Sequence, residues 1–304
     1  MVKTEAAAPG LFRKPDRHRG RKDLEALLKQ HTDCLLYTSD SYLGTGQIDY
    51  VKWDMNRPLT EVNSLVLPKE RKGEISHRYV IGLYEILDTV TKRYPEVLFE
   101  GCSSGGARFD PGMLAFVAQN WSSDNTDAFD RTQIQSGLSL IYPPVSMGAH
   151  VSITPNHQTG RTTSLNTRYQ VARLFNLGYE LDLNQCSAAE KSEIARQIAE
   201  HKAERSWLQH GSFYRNEAPN ENYHVWSSVR EDGSECLVMI FQKLHQPLCS
   251  HGRFPLTGLK PEYDYVETVS GKVYGGDELM ESGISVPLVK EDFYAFTFHF
   301  VRAE

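Results

Sequence analysis

"IDYVKWDMNR", residues 48–57, is a short β-rich run that ends in a cluster of charged and polar groups. Tyr50, Val51 and Trp53 suit a pleated, half-buried surface. Asp54, Asn56 and Arg57 end the run with side chains that seek turns, water or a ligand. The same grammar recurs downstream. "EVLFEGC" (96–102) closes on "SSGGARFD" (103–110), and the strand end at Asn120–Trp121 closes on "SSDNTD" (122–127). "VSMGAHVS" (145–152) and "LFNLGYELDL" (174–183) supply two further strand candidates.

Helical segments lie between these runs. "SHRYVIGLYEILDTVTKRYP" (76–95) places Val80, Leu83, Ile86, Leu87 and Val90 near helical spacing, with Pro95 after its end. "PGMLAFVAQ" (111–119) reads as a short helix, and "SAAEKSEIARQIAEHKAERSWLQ" (187–209) as a long one with Ser187 as N-cap. Strand and helix in alternation predict a parallel sheet covered by helices. The polar clusters then fall at the C-terminal ends of the strands, where α/β barrels keep their active sites.

Past about Tyr214 the rhythm becomes β. Asp232-Gly233 sits between two strand-like runs in 223–245, a hairpin signal. In 292–304, Tyr294, Phe296, Phe298 and Phe300 share one face, and Ala295, Thr297 and His299 the other. The fold class expected is α/β plus all-β: a partial (β/α)8 barrel followed by a small antiparallel sandwich. Residues 1–45 read as an unrelated or disordered leader with one short amphipathic stretch, "KDLEALLKQ" (22–30). A candidate chimeric junction lies at 34–39, "CLLYTS", whose Leu-Leu-Tyr-Thr would equally suit a strand. The barrel part is expected over 46–213 and the β domain over 214–304.

Composition narrows the classes. The chain has 304 residues, 40% hydrophobic and 11% aromatic, which suffices for a buried core. A net charge of -6 leaves no electrostatic footprint for nucleic acid. No apolar run approaches the ~20 residues of a membrane span, and the basic N-terminus lacks the apolar core of a secretory signal. Five widely spaced cysteines with no CxxC pair indicate neither a zinc cluster nor a disulfide framework, and a cytoplasmic setting is the default.

Two aspartates stand out as candidate chemistry. Asp54 ends the first clear strand beside Lys52 and Trp53, and Asp124 follows another strand end. Paired carboxylates at one rim suit glycoside hydrolysis: one attacks the anomeric carbon, the other protonates the leaving oxygen, at roughly 5 to 5.5 Å separation in a retaining enzyme. Lys52 would help keep Asp54 ionised. Against this, strand-end aspartates often serve as turn or N-cap residues, and on residues alone both readings stand. "GCSSGGARFD" is neither GxGxxG nor a phosphate loop; its glycines allow close backbone approach to a ligand. Cys102 reads as a nucleophile without an assignable base or, more simply, as a small buried side chain. His150 reads as a packed or supporting histidine, and Asp127 and Asp130 as first-turn helix residues. Glu180 and Asp182 occupy alternate positions of one strand and are candidates to line the barrel.

"YVKWDMNR", "CSSGGARFDPGML", "WSSDNTDAFDR", "YPPVSMGAHVS" and "LGYELDL", with "VYGGDELMESGI" beyond them, occur in this order. Together they resemble the α-galactosidases of glycoside hydrolase family 36, from about Ile48 to the C-terminus. The resemblance implies a retaining double displacement on melibiose- or raffinose-type oligosaccharides. It implies Asp54 as nucleophile and Asp124 as general acid/base. Lys52, Trp53, Asn56, Cys102, Gly105 and Trp121 become substrate-site candidates, and no metal or organic cofactor is implied. It further implies barrel strands four to eight, because about 165 residues separate Ile48 from the β domain whereas a whole barrel takes about 200 or more. Strands one to three, a leading sandwich, and the tryptophan, paired aspartates and arginine that grip galactose have no counterpart here. The alternatives are a non-catalytic fragment or carbohydrate-binding module, a raffinose- or stachyose-synthase-like transferase, and action on N-acetylgalactosaminides. The implied partner is a galactosyl oligosaccharide, with no nucleic acid and no membrane, and with a homo-oligomer as the family assembly.

Overall fold

The computed structural model describes residues 35–56, 62–64, 67–247 and 252–304. The stretch "KDLEALLKQ" and Arg57 lie outside the described residues. The chain divides into two units: 1–51 with 57–98, and 52–56 with 99–304.

In the first unit, α1 is described over residues 35–43 and α2 spans Ile75–Arg93. The strand that "CLLYTS" allows does not form, because Leu35 to Ser39 are helical. Local bonds reward the helix: Ser39 Oγ donates to the Leu35 carbonyl (2.9 Å), and Gly44 N–H closes onto the Asp40 carbonyl (2.9 Å). Asp40 then takes the Arg93 guanidinium and the Tyr94 hydroxyl from the end of α2. Those donors, Arg93 foremost, hold its carboxyl below the usual range. α2 buries Leu83, Ile86, Leu87 and Val90, four of the five positions its spacing predicts.

The second unit is built on a five-stranded sheet in sequential order, β1 (Tyr50–Asp54), β2 (Leu98–Cys102), β3 (Gln119–Trp121), β4 (Met147–Ser152), β5 (Asn176–Glu180). Successive pairs from β2 to β5 are parallel, and the sheet curls as part of a barrel. Helices α3 (Ala128–Leu138), α4 (Leu165–Arg173) and α5 (Ala188–Leu208) intervene or follow. Each starts on a side-chain cap: Asp127, Ser164 and Ser187, the last completing a capping box with Glu190. The segment 111–119 forms only a 3-10 turn, Met113–Ala115. Ala118 N–H already bonds the Phe99 carbonyl, so the chain enters the sheet before a helix can extend. α4 carries no sequence signal, because its buried residues run without a break from Thr167 to Arg173 and include two arginines.

The C-terminal part is a six-stranded antiparallel sheet in the order β11-β10-β13-β8-β7-β6. Its members are β6 (Ser212–Asn216), β7 (Tyr223–Val229), β8 (Glu235–Gln242), β10 (Asp264–Glu267), β11 (Val273–Gly275) and β13 (Tyr294–Arg302). β9 (Arg253–Phe254) pairs with β12 (Ile284–Ser285), and α6 (Gly276–Glu281) lies between β11 and β12 in the chain. The Asp232-Gly233 hairpin forms as expected, with Gly233 N–H on the Arg230 carbonyl (2.8 Å). Both faces of the large sheet are covered. Trp226, Leu237, Met239, Phe241 and Ala295 join a core with Phe175, Tyr169 and Trp207. Val225, Val238, Ile240, Phe296 and Phe300 join a second core with Phe254, Leu279 and Ile284.

Candidate active site

Alternation along β1 to β5 gives the sheet two unlike faces. Met147, Ala149 and Val151 of β4 join the apolar core. The other face carries Lys52 and Asp54, Glu100 and Cys102, Gln119 and Trp121, His150, and Glu180. Direct contacts tie these groups across the strands. Lys52 Nζ lies 3.6 Å from Glu100 Oε1 and 4.7 Å from the centre of the Trp121 ring. Gln119 Nε2 donates to Glu100 Oε2 (3.1 Å). His150 stacks on Trp121 at 4.3 Å and pairs through Nδ1 with Glu180 Oε2 (3.0 Å). That pairing holds the Glu180 carboxyl below its usual range despite partial burial.

Asp54, the last residue of β1, is exposed and accepts from Asn56 Nδ2 (2.9 Å). Asn56 Oδ1 in turn accepts from Ser104 N–H (2.6 Å), fixing the β1 end to the Gly-rich loop. The same loop holds the Met55 carbonyl through Ser103 Oγ and Arg108 Nη1, each at 2.8 Å. Cys102 is buried below; burial pushes its thiol up to about 12, and its hydrogen bond to Asp54 acts in the same direction. A thiol held so far from ionisation is a hydrogen-bond donor and packing group, not a nucleophile.

Asp124 is exposed on the loop after β3, and its Oδ1 accepts the Trp121 indole N–H (3.1 Å). Its carbonyl takes Gln158 Nε2 (3.0 Å). Arg131 binds the loop from beneath, through the Ser123 and Asn125 carbonyls and Ser122 Oγ, with its guanidinium 4.0 Å from the Trp121 ring centre. Burial lowers that guanidinium to about 10. Gly105 is required twice over. Its φ is +78°, and a Cβ there would lie 2.6 Å from Ser123 Cα and 2.8 Å from Asp124 N. The "GG" loop, which Asn56 ties to the end of β1, therefore touches the "SSD" loop backbone to backbone and links the strand ends that carry the two candidate carboxylates.

Of the residues singled out in sequence, Lys52, Asp54, Asn56, Cys102, Gly105, Trp121 and Asp124 are thus linked. Trp53 is not, since alternation turns it to the opposite face and its indole N–H meets Met55 Sδ (2.9 Å). Asp127 is the N-cap of α3 and binds Arg161, and Asp130 lies in the first turn. Asp182 caps a 3-10 turn. Sequence reading misses Glu100, Arg131 and Gln158. Glu100 falls two residues before Cys102, a period-2 signal, but the other two act across loops and carry none.

Two family profiles fit this arrangement: Melibiase over residues 12–211, and the glycosyl hydrolase family 36 C-terminal domain over 223–300. The chain belongs to the Melibiase family. The match begins at residue 12, within the stretch that the sequence pattern sets apart as a leader. Alpha-galactosidase 1 of Pediococcus pentosaceus is 44% identical over 295 residues, covering 96% of this chain and 40% of that protein. Alpha-galactosidase AgaA of Geobacillus stearothermophilus is 48% identical over 262 residues, covering 86% and 36%. The crystal structure of an AgaA variant in complex with raffinose superposes with a TM-score of 0.86 at 45% identity, over 90% of this chain and 38% of that one. The chain therefore spans about two fifths of the length of the relatives it matches. Its five parallel strands and antiparallel domain correspond to the glycoside hydrolase family 36 barrel and C-terminal domain.

Proposed function

We propose that the chain carries the carboxylate pair of a retaining α-galactosidase acting on melibiose- or raffinose-type oligosaccharides. The observation that carries this is the placement of Asp54 and Asp124 at the C-terminal ends of β1 and β3, linked through the Gly-rich loop after β2, in unlike environments. Asp54, held by the Asn56 amide and the Cys102 thiol, attacks the anomeric carbon from one face. Asp124, whose Oδ1 accepts the Trp121 indole, protonates the departing glycosidic oxygen. Asp124 then takes a proton from the water that displaces Asp54, and two inversions restore the α configuration. Lys52 supplies a cation beside this face. Two AgaA structures support the pairing. One carries an Asp→Asn change in a raffinose complex, the other an Asp→Ala change in a stachyose complex. Those aspartates are seventy positions apart, the interval between Asp54 and Asp124. On this reading residues 46–213 form the barrel portion and 214–304 the β domain. The protein works in the cytoplasm as a homo-oligomer.

Turnover of a nitrophenyl α-galactoside by the purified chain, lost in Asp54→Asn and in Asp124→Asn, is the expected result. Azide should restore Asp54→Ala and give a β-galactosyl azide; an α-galactosyl azide would remove Asp54 from the nucleophile role. The two-fifths coverage favours one second reading, a fragment without turnover of its own. Activity confined to a hybrid carrying the upstream region of AgaA would select it. Galactosyl transfer to sucrose faster than to water would select the transferase.

A further inference from the structure

The polar face holds a stack whose members do not all touch the two aspartates. Trp121 is 3% exposed and is contacted by three groups. The His150 ring lies on it at 4.3 Å and 25°, Arg131 at 4.0 Å, and Lys52 at 4.7 Å. The indole N–H leaves this stack in one direction, toward Asp124 Oδ1. His150 is itself fixed at two points. Glu180 Oε2 takes its Nδ1 at 3.0 Å. Gly178, its register partner on β5, leaves space for the ring: a Cβ at 178 would lie 2.5 Å from His150 Cδ2 and 2.9 Å from Nε2. Gly178 has ordinary backbone torsions, so its lack of a side chain serves the histidine and not the chain path.

We infer that Gly178, His150 and Glu180 on β4 and β5 form a positioning unit that sets the plane of Trp121 and through it the direction of Asp124. A carboxylic acid donates best when its proton lies along the line to the leaving oxygen. A single indole bond leaves Asp124 free to swing unless the indole plane is itself fixed. The aspartate side chain is exposed, so no close packing restrains it directly. This rests on the role proposed for Asp124.

Two measurements test it. The first needs no turnover: the Trp121 indole N–H resonance of the ¹⁵N-labelled chain, assigned by its loss in Trp121→Phe. It should shift in Asp124→Ala, and also in His150→Ala, Gly178→Ala and Glu180→Ala, and return toward its original position in Glu180→Gln, which can still accept from Nδ1. An indole resonance unmoved by His150→Ala and Gly178→Ala overturns the inference. The second measurement is the dependence of kcat/KM on leaving group. His150→Ala and Gly178→Ala should lose about tenfold toward melibiose, part of the ~10²–10⁴-fold that acid catalysis supplies. They should lose little toward a dinitrophenyl galactoside, which needs no protonation. Equal losses on both substrates overturn the inference and indicate a merely structural contribution. If Asp124→Asn keeps full activity on melibiose, the proposed function fails, and the indole shifts alone decide whether the positioning unit exists.

Discussion

The two sheets of the second unit turn the same strand alternation to opposite ends. The parallel sheet keeps one face polar, with Lys52, Glu100, Trp121, His150 and Glu180 joined by contacts of 3.0 to 4.7 Å. In the antiparallel sheet both faces are apolar, and β8 buries every residue from Cys236 to Gln242. A face crowded with charge contributes little to stability, because desolvating ions offsets most of their attraction. A doubly covered apolar strand contributes by area removed from water. The first sheet gathers polar groups on one face, and the second holds the unit together.

Substitutions should separate those roles. The largest effect falls on the polar face. Asp54→Asn should bring α-galactoside turnover to background while moving the urea midpoint by no more than about 0.5 kcal/mol equivalent, as for other exposed sites. A large loss of stability would break the contrast. Trp226→Ala should do the reverse. Its ring lies edge-on to Phe241 at 4.9 Å and to Phe175 at 5.4 Å, and its N–H reaches Ser136 Oγ. Removing it should cost about 3–5 kcal/mol in chemical denaturation.

His201 offers a finer probe between the sheets. It is buried on α5, and burial, with the nearby Arg173 and Arg205 cations, lowers its imidazole from 6.5 to about 4. The unfolded chain therefore binds a proton at a pH where the folded chain does not. Stability should fall as pH drops from about 6.5 toward 4, and His201→Phe should flatten that arm of a stability–pH curve. An unchanged acid arm would show the imidazole is solvated. The smallest effect belongs to the α5 capping box: Ser187→Ala should cost about 1 kcal/mol in thermal unfolding, leaving activity alone.

The difference between the sheets also explains what could be read in advance. β13 was legible because its alternate residues face two distinct cores: Phe296 and Phe300 in one, Ala295 in the other. α5 was legible because its cap is local, between Ser187 and Glu190. α4 was hidden because its arginines are buried: Arg168 bonds the Ser152 carbonyl, and Arg173 pairs with Glu200 and Glu204 of α5. No window of sequence reports such distant partners. Residues 35–43 reversed the local β propensity for a similar reason, since Asp40 finds its partners more than fifty residues away.

By itself the sequence determined the alternation of strand and helix apart from α1 and α4, the polar clusters at strand ends, and the two aspartates as candidates. These follow from side-chain periodicity and from turn chemistry, which act within a few residues. Tertiary structure alone decided how those aspartates are held: Cys102 and Asn56 on one, the Trp121 indole on the other. It also set Trp53 facing away and placed His150 and Glu180 behind Trp121. Such contacts depend on strand register and on two glycines, Gly105 and Gly178, that let loops and rings approach. Register is a property of paired strands, and no single stretch of chain contains it.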